Sequence, residues 1–194
     1  MKQLPNILTL IRLVIIPSFI AMLFVEDTIF NRWIFLILFT IASITDFLDG
    51  YLARKYQVTS NFGRIFDPIA DKSLIIIVCI MVLLKDVDLA KLIIIPVMIT
   101  ILRELVISGV REGIATQQVI IKVNRIGKYK ATFQMLALGF LIIGGYENDF
   151  YENCMNFGVL LLYFSVILSL LSGFQYLNQS YKSIKTNKEK QHGN

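Results

Sequence analysis

The sequence predicts an all-α integral membrane protein with six transmembrane helices, and three observations carry that expectation. Hydrophobic residues make up 56% of the 194 residues and charged residues 17%, against roughly 45–50% and 25% in soluble domains. Mean hydropathy is +0.66. The charges fall between apolar runs of spanning length. At ~20 residues per span, the chain holds about six helices with short loops and no soluble domain of any size. The same composition excludes disorder and a disulfide scaffold. Cys79 and Cys154 stand singly in apolar runs and read as helix filler. The one histidine, His192, lies in a charged tail, which leaves no basis for histidine catalysis or a His-rich zinc site.

The spans follow in order from the apolar runs. The first covers residues 7–25, with Arg12 near its start and Pro17 near its middle, where a kink is expected. Arg12 interrupts the run and no small-residue cleavage pattern follows, so it reads as a span and not as a signal peptide. The second is apolar over residues 33–45 and continues as a helix past Asp46 toward Tyr56. The third covers 67–84, the fourth 92–113, the fifth 128–146 and the sixth 154–177. Residues 1–181 form the six-helix unit, and residues 182–194 form a polar, basic tail.

Charge sets the orientation. Of the 19 basic residues, 16 fall at one side of this arrangement. Arg32, Lys85 and Lys91 fall at the other, with most of the loop carboxylates. The positive-inside rule makes the first side cytoplasmic and places both termini there. The net charge of +5 then describes a basic face against an anionic leaflet and not a nucleic-acid interface.

The chemistry lies in the segment Asp46-Phe-Leu-Asp49-Gly50-Tyr-Leu-Ala53-Arg54 and, eight residues on, Gly63-Arg-Ile-Phe-Asp67-Pro-Ile-Ala-Asp71. Asp46 and Asp49 are spaced to share one helical face, as are Asp67 and Asp71. A short loop joins the second and third spans, so the four carboxylates are expected at one end of an antiparallel pair. From Arg32, ~1.5 Å per residue puts Asp46 about 21 Å along the helix, inside the cytoplasmic half of a ~30 Å hydrocarbon layer. Four carboxylates in such a place repel one another unless cations lie among them. An all-oxygen donor set points to Mg²⁺ or Mn²⁺ before Ca²⁺. Four carboxylates suffice for two such ions, and an ion pair of that kind can clamp a diphosphate. Gly50 and Ala53 leave room for a ligand to approach the backbone. Single residues have plainer readings. Asp67 before Pro68 resembles a helix start, and Asp46 or Asp49 could pair with Arg54. Neither reading accounts for four carboxylates at helical spacings beside small residues.

At these residues the sequence resembles the CDP-alcohol phosphatidyltransferase family, whose signature is D-x2-D-G-x2-A-R-x8-9-G-x3-D-x3-D. Asp46, Asp49, Gly50, Ala53, Arg54, Gly63, Asp67 and Asp71 fill every fixed position. Pro5-Asn6-Ile-Leu8-Thr9-Leu-Ile-Arg12 is similar to the family's N-terminal segment. The segment from Thr100 through Arg103-Glu104 and Ser108 to Arg111, with Gly127-Lys128-Tyr-Lys130, resembles the branch that makes phosphatidylglycerol phosphate. Ala131 stands where that branch commonly has threonine, and Thr132 follows.

The resemblance implies six transmembrane helices around a cytoplasm-facing polar cavity, the CDP-alcohol phosphotransferase fold, in a homodimer of the bacterial plasma membrane. It implies transfer of a phosphatidyl group from CDP-diacylglycerol to sn-glycerol 3-phosphate, giving phosphatidylglycerol phosphate and CMP. Asp46, Asp49, Asp67 and Asp71 would bind two divalent cations, with Asp71 also the catalytic base. Asn6, Thr9, Gly50, Ala53, Arg54 and Gly63 would contact the CDP moiety.

The acceptor site has its own support in the residues. Glu104, Ser108 and Arg111 fall in a narrow arc of one helix. Arg103 lies well inside the fourth span, where an idle charge costs ~2.5–3.5 kcal/mol on insertion scales. Lys128 and Lys130 open the next span. Such a basic group suits a phosphorylated acceptor, so Arg103, Glu104, Ser108, Arg111, Lys128 and Lys130 are the candidate glycerol-phosphate residues. The plainer reading makes the lysines positive-inside anchors and pairs Arg103 with Glu104. Two other functions compete: the same chemistry on another acceptor such as inositol phosphate, and a divalent-cation transporter. The second is disfavoured because the outer halves of the spans carry almost no ionisable groups.

Overall fold

The computed structural model describes residues 4–56, 61–115, 125–145 and 148–192, with side chains described for 11, 14–45, 69–70, 72–114, 126–145 and 148–184. Six α-helices run through them: α1 (Leu4–Ala21), α2 (Ile29–Tyr56), α3 (Asn61–Lys85), α4 (Val87–Ala115), α5 (Arg125–Ile143) and α6 (Asp149–His192). A short 3₁₀ turn, Met22–Phe24, follows α1. No strand occurs among the described residues. Three stretches are long and apolar enough to cross a bilayer: Val87–Ile114, Ile126–Ile143 and Asp149–Ile184. Val14–Phe24 and Ile29–Thr45 are shorter apolar helical stretches. The protein is thus an all-helical membrane protein.

Short polar side chains mark the helix ends. Thr28 Oγ1 accepts from Asn31 N (3.2 Å) ahead of α2. Asp86 Oδ1 accepts from Asp88 N (2.8 Å) and Leu89 N (3.1 Å), which starts α4 one residue after α3 ends. Asn148 Oδ1 accepts from Phe150 N (3.0 Å) ahead of α6. Each satisfies amides that a helix start leaves without intrahelical partners. At the end of α5, Gly145 has φ 93°, a conformation that favours glycine. A Cβ on Gly144 would lie 2.7 Å from Met155 backbone atoms, so only glycine fits there.

Two boundaries differ from the sequence expectation. α3 begins at Asn61, six residues before Asp67, so the Asp67-Pro68 pair lies within the helix and does not start it. The apolar rhythm of Phe62, Ile65, Phe66 and Ile69 carries across Pro68, which removes one backbone bond without ending the helix. α6 continues past Tyr181 through the basic segment to His192.

The chain divides into two compact units, and the division runs across α4, α5 and α6. The first unit comprises Met1–Ile93 and Met135–Val159. Within it α1 packs on α2 and α3, and the fully buried Phe19 meets Phe35 and Phe39 at centroid separations of 6.1 and 6.4 Å. α2 and the end of α5 are antiparallel. Ser43 Oγ lies 3.6 Å from Met135 Sδ, Gly139 faces Leu36, and Arg32 reaches Gly144.

Arg32, 5% exposed, ties this unit together at one end. It donates through Nε to Asp27 Oδ1 (2.6 Å), through Nη2 to Asp27 Oδ2 and through Nη1 to the Gly144 carbonyl. Lys85, at the end of α3, donates to the Ile142 carbonyl (2.6 Å). Two cations therefore close the carboxyl end of α5, where unpaired carbonyls and the helix dipole favour positive charge. Burial and then the nearby Arg32 charge push the Lys85 ammonium down to about 7, against the pull of Asp27 and Asp86. Burial raises the Asp27 carboxyl, but the Arg32 hydrogen bond and the Lys85 and Arg32 charges outweigh it and hold it below its usual value.

The second unit comprises Ile94–Gln134 and Leu160–Asn194. Its contacts fix the helix directions. Arg103 reaches Ser169 and Ser172, a Cβ on Gly173 would lie 3.7 Å from Ile107, and Arg111 lies over Tyr176. α4 and α6 are therefore parallel here. Lys130 pairs with Glu104 while the later Phe133 stacks edge-on with the earlier Phe164 (4.9 Å), so α5 runs opposite to both.

Candidate active site

The aspartate segment lies on α2 and α3 of the first unit. α2 is continuous from Ile29 to Tyr56 and carries Asp46 and Asp49 three residues apart. α3 carries Asp67 and Asp71 four apart. Helical backbone at both places gives each pair a common face. Asn6 and Thr9 lie on α1, Gly50, Ala53 and Arg54 on α2, and Gly63 on α3. The side chains of these ten residues lie outside the described residues. Four carboxylates with no sulfur and no imidazole in the pattern would suit hard divalent ions. Among the described residues no group of three or more His, Cys, Asp or Glu side chains could hold a metal.

The six candidate acceptor residues all lie in the second unit, and the structure separates them into two sets. Arg103, Glu104 and Lys130 form an interior cluster. Their side chains are 15%, 16% and 6% exposed. Glu104 Oε1 accepts from Arg103 Nη1 (3.0 Å) and from Lys130 Nζ. Arg103 also donates through Nε to the Ser169 carbonyl (3.3 Å) and through Nη2 to Ser172 Oγ (2.9 Å). Its guanidinium is thus spent on internal contacts, which is how a buried charge avoids an unpaired state. Ser108, Arg111 and Lys128 form the second set, and the last two are exposed. Ser108 Oγ donates to Glu112 Oε1 (3.4 Å). The Arg111 guanidinium carbon lies 5.8 Å from the Tyr176 ring centroid, a cation–π distance that steadies the side chain while leaving its N–H groups available.

Sequence reasoning missed the α6 contribution. Ser169, Ser172 and Tyr176 hold the two arginines of α4, and their signal was present as polar residues at helical spacing in an otherwise apolar span. Serine is common enough in membrane helices that the spacing does not distinguish a partner from a packing residue.

The sequence profile of the CDP-alcohol phosphatidyltransferase family matches residues 2–171. A Rickettsia typhi protein is 40% identical over 188 residues, covering 96% of this chain and 99% of its own length. A Haemophilus influenzae protein is 39% identical, with 95% and 97% covered. An Escherichia coli K12 protein is 34% identical, with 91% and 93% covered. Each of the three bears the name CDP-diacylglycerol–glycerol-3-phosphate 3-phosphatidyltransferase. With a match over nearly its whole length and an unbroken aspartate pattern on α2 and α3, the chain belongs to the CDP-alcohol phosphatidyltransferase family.

Proposed function

We propose that this protein transfers the phosphatidyl group of CDP-diacylglycerol to sn-glycerol 3-phosphate, releasing CMP and forming phosphatidylglycerol phosphate. The observation that carries the reading is similarity over more than nine-tenths of this chain to proteins named for that reaction. The residues agree with it. The aspartate pattern suits a metal-held diphosphate, and the exposed Arg111 and Lys128 suit an anionic acceptor.

In this reading Asp46, Asp49, Asp67 and Asp71 hold two divalent cations, Mg²⁺ or Mn²⁺. Bound there, the ions would neutralise the diphosphate and stabilise charge on its leaving oxygen. Asp71 accepts the proton of the acceptor hydroxyl. Asn6, Thr9, Gly50, Ala53, Arg54 and Gly63 hold the CDP moiety. Arg111 and Lys128 grip the phosphate of the acceptor, with Ser108 beside them. Lys130 and Glu104 support that group from within, and Arg103 fixes α4 against α6. Six spans place both termini and the active site at the cytoplasmic side of the bacterial plasma membrane, residues 1–181 act as the catalytic unit, residues 182–194 form a basic cytoplasmic tail, and the enzyme works as a homodimer among membrane lipids.

The test is to supply purified protein in detergent–lipid micelles with CDP-diacylglycerol, Mg²⁺ and, in parallel, glycerol 3-phosphate, inositol phosphate, serine or inositol. CMP release and phosphatidylglycerol phosphate with the first acceptor alone are expected. Turnover preferring inositol phosphate would reassign the acceptor, and Mn²⁺ uptake into vesicles without turnover would make the protein a transporter.

A further inference from the structure

Three polar side chains near the midpoints of α4, α5 and α6 have no use in the function above. Thr100, Gln134 and Ser169 are each 1% exposed. Thr100 Oγ1, Ser169 Oγ and both Gln134 amide atoms find no hydrogen-bond partner among the described residues. Because both ends of the amide are unpaired, exchanging its oxygen and nitrogen would not satisfy them. Ser165, Ser172 and Ser180 on the same α6 donate to carbonyls one turn back. Ser169 does not take that local option.

Helix offsets from the observed contacts put the three residues at similar heights in the second unit. Thr100 lies three residues before Arg103, Gln134 four after Lys130 and Ser169 three before Ser172. At ~1.5 Å per residue these are steps of about 4.5–6 Å. With α4 parallel to α6 and antiparallel to α5, all three steps lead the same way from the Arg103–Glu104–Lys130 cluster. Buried polar groups that lack protein partners are usually satisfied by water, each such water making about three hydrogen bonds. A cation is disfavoured, because the neighbouring cluster already sets two positive charges against one carboxylate.

We propose that Thr100, Gln134 and Ser169 form a water-binding layer that holds ordered water between α4, α5 and α6, next to the buried ion cluster whose Arg103 already donates to the Ser169 carbonyl. The two hydroxyls and the amide offer both donors and acceptors to it. The same water solvates the net positive charge of the cluster from within the helices.

A melting cycle on the full-length protein in detergent tests this, with far-ultraviolet circular dichroism reporting the loss of helix. Gln134→Met should lower Tm by about 3–8 °C, since the water loses its amide partner while the two hydroxyls still hold it in place. Adding Thr100→Val and Ser169→Ala to it should recover part of the loss, because a wholly apolar layer needs no water. A rise in Tm for Gln134→Met, or strictly additive effects, would show a dry layer and overturn the proposal. If Gln134→Met does not fold, the cycle of Thr100→Val with Ser169→Ala reads the same coupling, and additivity there overturns it equally. Exchanging Na⁺ for choline should leave Tm unchanged, whereas a fall would replace the water with a cation.

Discussion

Glu104 on α4 and Lys130 on α5 form an ion pair that both helices bury, and Arg103 closes on the same carboxylate oxygen. One acceptor atom thus serves two cations. Removing it should do more harm than removing either cation. Glu104→Gln leaves two positive charges facing each other in the interior, and breaking a buried pair in this way typically costs ~3–5 kcal/mol. Expected is a large fall in Tm, or loss of folded protein, with a smaller fall for Arg103→Met. Equal and small effects for both would mean that the cluster is hydrated well enough to tolerate the loss.

The exposed and buried basic residues should separate kinetically. Arg111→Ala and Lys128→Ala should raise KM for glycerol 3-phosphate by roughly 10- to 150-fold, the value of one charge-assisted hydrogen bond. KM for CDP-diacylglycerol should hardly move. The acceptor phosphate does not react, so the loss should fall mainly on KM where KM reports binding. Arg111→Lys should recover only part, since it keeps charge and loses the fork. Arg103→Met should lower stability without this bias. Initial rates over both substrates decide it, and an equal rise in both KM values would make the exposed residues membrane anchors.

Each of Asp46→Asn, Asp49→Asn, Asp67→Asn and Asp71→Asn should abolish most activity while the protein still inserts. The four carboxylates form one ligand set, and losing any one unbalances it. Near-normal turnover by two of these variants would sink the two-ion reading. For the same reason EDTA should stop the reaction and Mg²⁺ or Mn²⁺ restore it. Full activity after exhaustive chelation is the opposing result.

The closure of α5 by Lys85 should make stability depend on pH. The ammonium is pushed down to about 7 in the folded protein, against ~10.4 in an unfolded chain. Below pH 7 both states carry the proton, and the folded state bears the full cost of burying it. From pH 7 to about 10.4 the unfolded chain binds more protons, so stability should rise with pH. Lys85→Met should flatten that rise, as the difference between wild-type and variant Tm across pH 6–10 would show. A parallel pair of curves would mean that Lys85 stays charged. Asp27, held below its usual value, adds stability that disappears only as pH falls through the acid range.

The helical class, the continuation of α2 past Asp46 and the aspartate pattern were legible because each depends on local sequence: apolar length, helical period and fixed spacing. The basic residues of α4 and α5 were legible as a group but not as two sets. Arg103 and Arg111 look alike in sequence. What separates them is Ser169 and Ser172 on one side and Tyr176 on the other, all supplied by α6 some 65 residues later. α3 begins six residues before the apolar run read as the third span, because hydropathy marks where a span lies and not how far its helix extends beyond it. Arg32 looked like an outer-side anchor. Its burial depends on Gly144 and Asp27, one of them more than a hundred residues away.

The contacts of Arg103 bear on how the chain enters its membrane. α4 carries Arg103 and Glu104 in its interior, yet Lys130 lies on α5 and Ser169 and Ser172 lie on α6. During synthesis α4 leaves the ribosome before any of these partners exists. The adjacent opposite charges give each other some relief, but the remaining cost must be met by the long apolar stretch of the helix or by delay. Integration of α4 should therefore be completed only as α5 and α6 arrive. A chain truncated after α4 should insert that helix less efficiently than the full chain does, a dependence on later sequence that hydropathy alone would not reveal.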